Sequence, residues 1–349
     1  MEKRNLAQTI RDKALKLGFD SCGIISVEAM EEYAECLEER IQLFPEARPV
    51  LAKLSGFAKP HAANKWARSI IVCVYRYGKY KVPAELDGLI GKFNLYDYRF
   101  QQYAKEHAQV ELFETYLKDL GVRTARESIG VTAGKLAAQK AGLGIIRKNN
   151  LFYNQHGSWV GIETWLADQS MECCATDVLP PPCPEHCTAC IDACPTGALV
   201  GPHVLNMSKC VSSLTYGAQD VLGGTLRTQM GKWLYGCDHC QDACPMNKNK
   251  WEEQEEYPKL KELTDYIELK RLSEMDEQTW LHNIRPRFWY IGEDRAWLWK
   301  TNAIRAMANC FDVSYSKYLE KACQNEHSKV REMAVWACEK VGLTQKCDK

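Results

Sequence analysis

The chain has 349 residues, with 45 basic and 45 acidic side chains and 46% hydrophobic residues. That length can bury ample core in one large domain or in two to three smaller ones. The balanced charge excludes a whole-chain pull towards nucleic acid or membrane and leaves room only for a local basic face. No run of 18 apolar residues marks a membrane span. The start, "MEKRNLAQTIRDKALKLGFD", lacks the apolar core of a signal peptide, so a cytoplasmic protein is expected.

In chain order, Leu6, Ile10, Ala14 and Leu17 share one face of a helix over 5–17, with Gly18 as its stop. "FDSCGIISV" and "SIIVCVYRY" are rich in β-branched and aromatic residues and read as strands, with Cys73 a small core residue of the second. "QVELFETYLKDLG" reads as a helix ending at Gly121, "VRTARES" as a short strand, "AGKLAAQKAG" as a helix and "SWVGIETWLA" as a further strand. This alternation predicts an α/β domain over 1–178. Three prolines in "DVLPPPCP" mark a boundary. A cysteine-rich domain over 179–250 follows, then a charged connection, "NKNKWEEQEEYPKLKEL", read as a solvated linker. Over 251–349 the tail is helical. Ile304, Met307, Ala308 and Phe311 share one face, and Val330, Met333, Ala334, Ala337 and Val341 another, with Ser328 placed to cap and Gly342 to end the second helix. Paired helices at this spacing are HEAT-like, and pattern alone does not separate them from a generic helical hairpin.

Seventeen cysteines in a reducing compartment point to metal more than to disulfides. The run "CPEHCTACIDACP" has the spacing C-x3-C-x2-C-x3-C-P, and "CDHCQDACP" offers C-x2-C-x3-C-P. The bacterial two-cluster signature is C-x2-C-x2-C-x3-C-P, whose fourth cysteine ligates the other cluster. Cys183 takes the first place through a looser loop, and Cys210, 27 residues before Cys237, supplies the member missing from the second run. The swapped pairing predicts one [4Fe–4S] cluster on Cys183, Cys187, Cys190 and Cys244, and another on Cys194, Cys210, Cys237 and Cys240. Structural zinc is the alternative, since four cysteines also hold zinc. The repeated "DACP" ends at 192–195 and 242–245 favour iron–sulfur clusters. His239 is a neighbour of the cluster, and Cys173 and Cys174 have no assigned role.

"GCDHCQDACPMN", "CTACIDACPTGAL", "KCVSSLTYG", "LYDYRF" and "AGLGIIRKNNLFYNQHGSW" together resemble the epoxyqueuosine reductase family, iron–sulfur and cobalamin enzymes related to the reductive dehalogenases. The likeness runs over nearly the whole chain. It implies an α/β (α+β) cobalamin-binding domain with a ferredoxin-like double [4Fe–4S] insert and a C-terminal HEAT-like segment. It also implies electrons drawn from a donor such as ferredoxin or flavodoxin and passed through the clusters to a corrinoid, which removes the epoxide oxygen of epoxyqueuosine in tRNA. A monomer is expected.

The same resemblance places cofactor contacts at Arg99, Val131, Gly142, Gly144, Arg147, Lys148, Asn149 and Ser158. The family's acid lies in a D-x-x-P-V-x-E context, and this chain reads "ESIGVTAG" there. Matching the context puts Glu127 at the acid, whereas counting back from Ala141 puts Ser128 there. Ile145, Arg147 and Arg99 also depart from the family's Trp, Gly and His at positions expected to line the cobalamin and substrate cavity. Tyr98 and Tyr75 are candidate proton donors or packed aromatics, and His156 is a cofactor contact or a loop histidine. Lys317, Lys321, Lys329 and Arg331 are candidates for a tRNA-binding face or a solvated helix. Three readings stand: the family reaction, a paralogue reducing another substrate or another corrinoid, and a two-cluster electron carrier without cobalamin.

Overall fold

The computed structural model describes residues 3–173 and 179–343, so Cys174 lies outside the described residues. Helix α1 (Lys3–Lys16) buries Ile10 and Ala14 and ends at Gly18, whose φ of +99° only glycine adopts without strain. The main sheet contains β1 (Ser21–Ser26), β2 (Ser69–Arg76), β3 (Thr124–Ala125) and β6 (Val160–Ala167), in the order β1-β2-β6-β3. Two small hairpins lie outside it, β4 (Ile145–Ile146) with β5 (Phe152–Tyr153) and β7 (Leu199–Gly201) with β8 (Val204–Leu205).

Every pairing in the main sheet is antiparallel, a difference from the parallel strands that strand–helix alternation suggests. A single crossover helix would carry the chain to the other end of the sheet. The connection from β1 to β2 instead holds α2 (Glu32–Leu43) and several short helical turns, and the chain re-enters where it left. Strand β2 is apolar throughout because both faces are covered. Ile71, Cys73 and Tyr75 enter one core, while Ile70, Val72 and Val74 enter another beneath α4 (Gly134–Lys140). Cys73 is buried there, opposite Cys22 of β1.

The first of these cores is continuous from Ala7 to Cys338, so the sheet, the cysteine-rich segment and the tail share one apolar interior. Helix α3 (Lys105–Asp119) joins it through Val110, Phe113 and Leu117. The predicted strand "VRTARES" shrinks to Thr124–Ala125. Beyond it, the Gly130 amide donates to the Glu127 carbonyl at 2.8 Å, closing a turn with Gly130 at φ +89°. The charged connection is irregular, as read, but it is not a free linker. Trp251 packs edge-on against Trp159 at 5.1 Å and Tyr257 against Tyr80 at 4.9 Å. Glu252 pairs with Arg76 at 2.6 Å, and Glu255 with Lys105 at 3.0 Å.

In the tail, α6 (Ala296–Asn309) packs against α8 (Ser328–Val341), with α7 (Ser316–Ala322) alongside. Ile304, Met307 and Ala308 are buried, whereas Phe311 lies past the helix end and is exposed. Val330, Met333, Ala334 and Ala337 are buried as predicted, and Gly342 ends the helix at φ +79°. The cap is not Ser328, which is already helical. It is the residue before it, His327, whose ring accepts from the Lys329 amide at 3.2 Å.

Helix α6 also grips the cysteine-rich segment. Asn302 donates to the Thr215 and Leu234 carbonyls at 2.8 and 3.0 Å. Arg305, fully buried, donates to the Gly231 carbonyl at 2.7 Å and to the Trp233 carbonyl, and burial pulls its pKa down to about 10. Replacing it with methionine leaves the Trp233 carbonyl without a donor, at about 1–3 kcal/mol, while the Gly231 carbonyl keeps the Asn309 side-chain amide at 2.8 Å. Arg305→Met is expected to lower the urea unfolding midpoint by the equivalent of about 1–3 kcal/mol, with the loop over 231–234 the first region to lose hydrogen-exchange protection.

Candidate functional site

Two helical turns, Ala189–Asp192 and His239–Asp242, pack side by side and carry the middle of each cysteine run. Each ends at an Ala-Cys-Pro step, which turns the last cysteine of one run towards the other. The charges that act on Cys190 come from Cys244, Cys183 and Cys187. Cys210 feels Cys194, and Cys237 and Cys240 feel Cys210. Cys240 also feels Cys190 and Cys194, so the thiols of both runs and Cys210 lie within reach of one another. Among the described residues no three His, Cys, Asp or Glu side chains are grouped around a single-ion site. Burial pushes the Cys210, Cys237 and Cys240 thiols up, so their thiolates call for a cationic centre. Cys210 stands at the start of α5 (Val211–Gly217) and accepts from the Ser213 and Ser212 amides. Cys194 accepts from the Ala198 amide at 3.2 Å.

The segment 147–149 closes over these loops. Arg147, 2% exposed, donates to the Cys183 sulfur at 3.6 Å and to the Pro181 carbonyl. Lys148 Nζ gathers the Pro184, Glu185 and Cys187 carbonyls at 2.9, 2.6 and 3.0 Å. Asn149 donates to the Cys240 carbonyl at 3.1 Å. Ser158 bonds Gln241 at 2.8 Å and accepts from Asn247, both in the second cysteine loop. Arg147, read from the resemblance as lining a cobalamin cavity, is thus engaged with the first cysteine loop, because its guanidinium finds a sulfur and a carbonyl there. Gly142 has a backbone role, ending α4 at φ +75°. Gly144 lets β5 approach: a Cβ there would lie 2.2 Å from the Tyr153 carbonyl oxygen. Val131 packs in the second core. His156 faces Asp20 at 3.6 Å, and burial lowers its pKa. His239 lies edge-on to Trp233 at 5.6 Å, beside the second run.

Lys135 of α4 is exposed and donates to the Asn150 carbonyl at 2.6 Å, and desolvation lowers its pKa against the pull of Cys240 and Cys210. Tyr216, one helix length after Cys210, stacks on Tyr290 at 5.1 Å. The Tyr290 hydroxyl accepts from Arg99 at 2.8 Å. Arg99 also makes two bonds of 2.7 Å to the Asp97 carboxylate, donates to the Ser128 carbonyl at 2.7 Å, and lies 4.8 Å over Trp289. It pins the 127–130 turn to this network. The Glu127 side chain is exposed, and Ser128 is half-buried.

Behind Arg99, Tyr98 is buried and meets Tyr75 edge-on at 5.2 Å. Tyr75 fits only because position 161 is glycine: a Cβ there would lie 2.1 Å from its ring. Glu163 of β6 is also buried in this cluster, and sequence reasoning missed it. The available signal was a lone carboxylate in the apolar strand "SWVGIETWLA".

Residues 183–247 match the model of a 4Fe–4S double cluster binding domain. Over 256 residues the chain is 32% identical to an epoxyqueuosine reductase of Leadbetterella byssophila, covering 70% of this chain and 80% of the relative. It is 29% identical to that of Staphylococcus aureus over 361 residues, covering 97% of this chain and 89% of the relative. Among solved structures it is similar to an epoxyqueuosine reductase with an epoxyqueuosine-modified tRNA stem loop, at 25% identity and TM-score 0.74, covering 97% of this chain and 90% of the other. The Bacillus subtilis enzyme with its catalytic loop swung out of the active site is also similar, at 25% identity, TM-score 0.73 and the same coverage. Sequence and fold agree over the length of both chains, and this oxidoreductase, with its 4Fe–4S double-cluster domain, belongs to the epoxyqueuosine reductase family.

Proposed function

We propose that the chain draws electrons from a small carrier such as ferredoxin or flavodoxin and passes them through two [4Fe–4S] clusters to a corrinoid beside Cys210 and α4. The substrate reduced there is epoxyqueuosine in tRNA. The observation that supports this reading is the packing of the two cysteine turns within a double-cluster domain, with Lys135 close to Cys210 and Cys240. Cys183, Cys187, Cys190 and Cys244 hold one cluster, and Cys194, Cys210, Cys237 and Cys240 the other. The Arg147 guanidinium near Cys183 and the Ala198 amide on Cys194 make reduction easier by stabilising added negative charge. Lys135, Tyr216 and the 127–130 turn border the corrinoid, with 1–178 as its domain, 179–250 as the cluster domain and 251–349 as a HEAT-like buttress. When bound, the corrinoid supplies a strongly reducing, nucleophilic metal centre. The protein's part is to orient the acceptor, keep water away and provide a proton for the departing oxygen.

A phosphate backbone on the tail would have to displace existing contacts. Lys321 pairs with Glu274 at 2.6 Å, and Lys329 with Asp220 at 3.3 Å. Arg331 donates to the Asn325 and Glu326 carbonyls, and Lys317 lies over Tyr318. Such exposed pairs contribute about 0–1 kcal/mol each, so exchange is cheap. A second reading, a different substrate on the same scaffold, is favoured by the exposed Glu127 and by Arg99 holding the turn.

Anaerobically reconstituted protein is expected to hold about eight iron atoms per chain and to bleach on reduction. Cys244→Ser should lose the first cluster and keep the second, leaving about four; loss of both, or a zinc content instead, would overturn the ligand sets. Added cobalamin should show a shifted corrinoid absorption band, and an unchanged spectrum would return the chain to a plain two-cluster carrier. With corrinoid bound, an epoxyqueuosine-containing anticodon stem-loop should be converted to the queuosine form. Intact corrinoid binding without conversion would select the second reading.

A further inference from the structure

Three carboxyl groups and two arginines meet at the base of the site. Arg99 is matched by Asp97 at 2.7 Å, and Arg126 by Glu114 at 2.6 Å. Glu114 also accepts from the Trp165 indole at 2.9 Å. Glu163 is the carboxyl left over, 3.6 Å from an Arg126 that already has a closer partner. Ionising all three would leave one unmatched negative charge in a buried cluster, which is costly, and holding a proton on Glu163 removes it. Burial accordingly raises its pKa, against the opposing pull of Tyr98, Arg99 and Arg126.

The position of Glu163 is as telling as its charge. Strand β3 pairs with β6 only at Ala167 and Leu166, so the edge of β6 beside Glu163 is left to the segment entering the 127–130 turn. The Tyr98 hydroxyl is buried and faces the Glu163 carboxyl as its hydrogen-bond partner. Next to Tyr98 in the chain, Arg99 reaches Tyr290, which stacks on Tyr216 below Cys210. The carboxyl and the second thiol set therefore meet in one aromatic cluster. On the turn itself, Glu127 points to solvent and Ser128 commits its carbonyl to Arg99.

We propose that Glu163 is the acid of this site: the proton consumed at the acceptor leaves from its carboxyl by way of the Tyr98 hydroxyl, and not from the 127–130 turn. This rests on the reductive reading above. Removing an epoxide oxygen as water breaks both of its carbon–oxygen bonds, forms a carbon–carbon double bond and takes two electrons, which the clusters supply one at a time, and two protons. As the first bond breaks, the Tyr98 proton passes to the epoxide oxygen and the Glu163 proton passes to the Tyr98 oxygen; as the second breaks, the oxygen leaves as water. Solvent returns a proton to Glu163 and supplies the second proton of the water.

The test uses the reconstituted full chain and two independent readouts. Infrared difference spectra between wild type and Glu163→Gln at neutral pH should contain the carbonyl band of a protonated buried carboxyl. Stem-loop conversion should fall about 10²–10⁴-fold in kcat for Glu163→Gln, with cluster content and corrinoid spectrum retained, and recover in part in Glu163→Asp. Full activity of Glu163→Gln, or absence of the carboxyl band, would overturn the proposal. If wild type converts no stem-loop, the substrate assignment fails, and the infrared band still decides whether Glu163 holds a proton.

Discussion

The two cysteine runs must lie side by side for a double-cluster domain to form, and that constraint orders the rest of the structure. The Ala189–Asp192 and His239–Asp242 turns do this by direct packing. Elements from both ends of the chain then hold them. Residues 147–149 and Ser158 bond the loops from the sheet side, and Asn302 and Arg305 grip the intervening chain from the tail. At Gly236, φ is +80° and a Cβ would lie 2.2 Å from Asn94 Nδ2, so the entry to the second run also fits tightly against the N-terminal part. One core from Ala7 to Cys338 is the consequence.

The irregular spacing after Cys183 has a physical account in this arrangement. An extra residue lengthens the loop, and its carbonyls would otherwise be left to water. Lys148 collects three of them on one ammonium group. A lysine in that place does structural work for a cluster loop, and its neighbour Arg147 brings a positive charge to a ligand sulfur. The best-matched segment of the family resemblance thus bonds to the cysteine loops.

A second cluster, of aromatic and charged groups, is assembled from three distant places. Asp97, Tyr98 and Arg99 come from the loop after β2, Glu163 from β6, and Trp289 and Tyr290 from the start of the tail. Trp289 donates to Asp97 at 3.1 Å, Gln101 donates to the Pro286 carbonyl, and Arg287 donates to the Leu95 carbonyl. The tail therefore buttresses the loop that carries the site, which links its packing directly to function.

The sequence by itself determined the strands, the main helices and the boundaries of the cysteine runs. Each depends on local periodicity or on spacing along the chain, which a single sequence displays. It did not determine the direction of the strands, because alternation of elements says nothing about which end of the sheet the chain re-enters. It left the acid open between Glu127 and Ser128, since both lie in one short segment. Only the tertiary structure brought Glu163 beside Tyr98 and gave Arg99 and Arg126 their own carboxylates. A proton is held where opposite charges fail to balance, and that balance is struck between residues far apart in the chain.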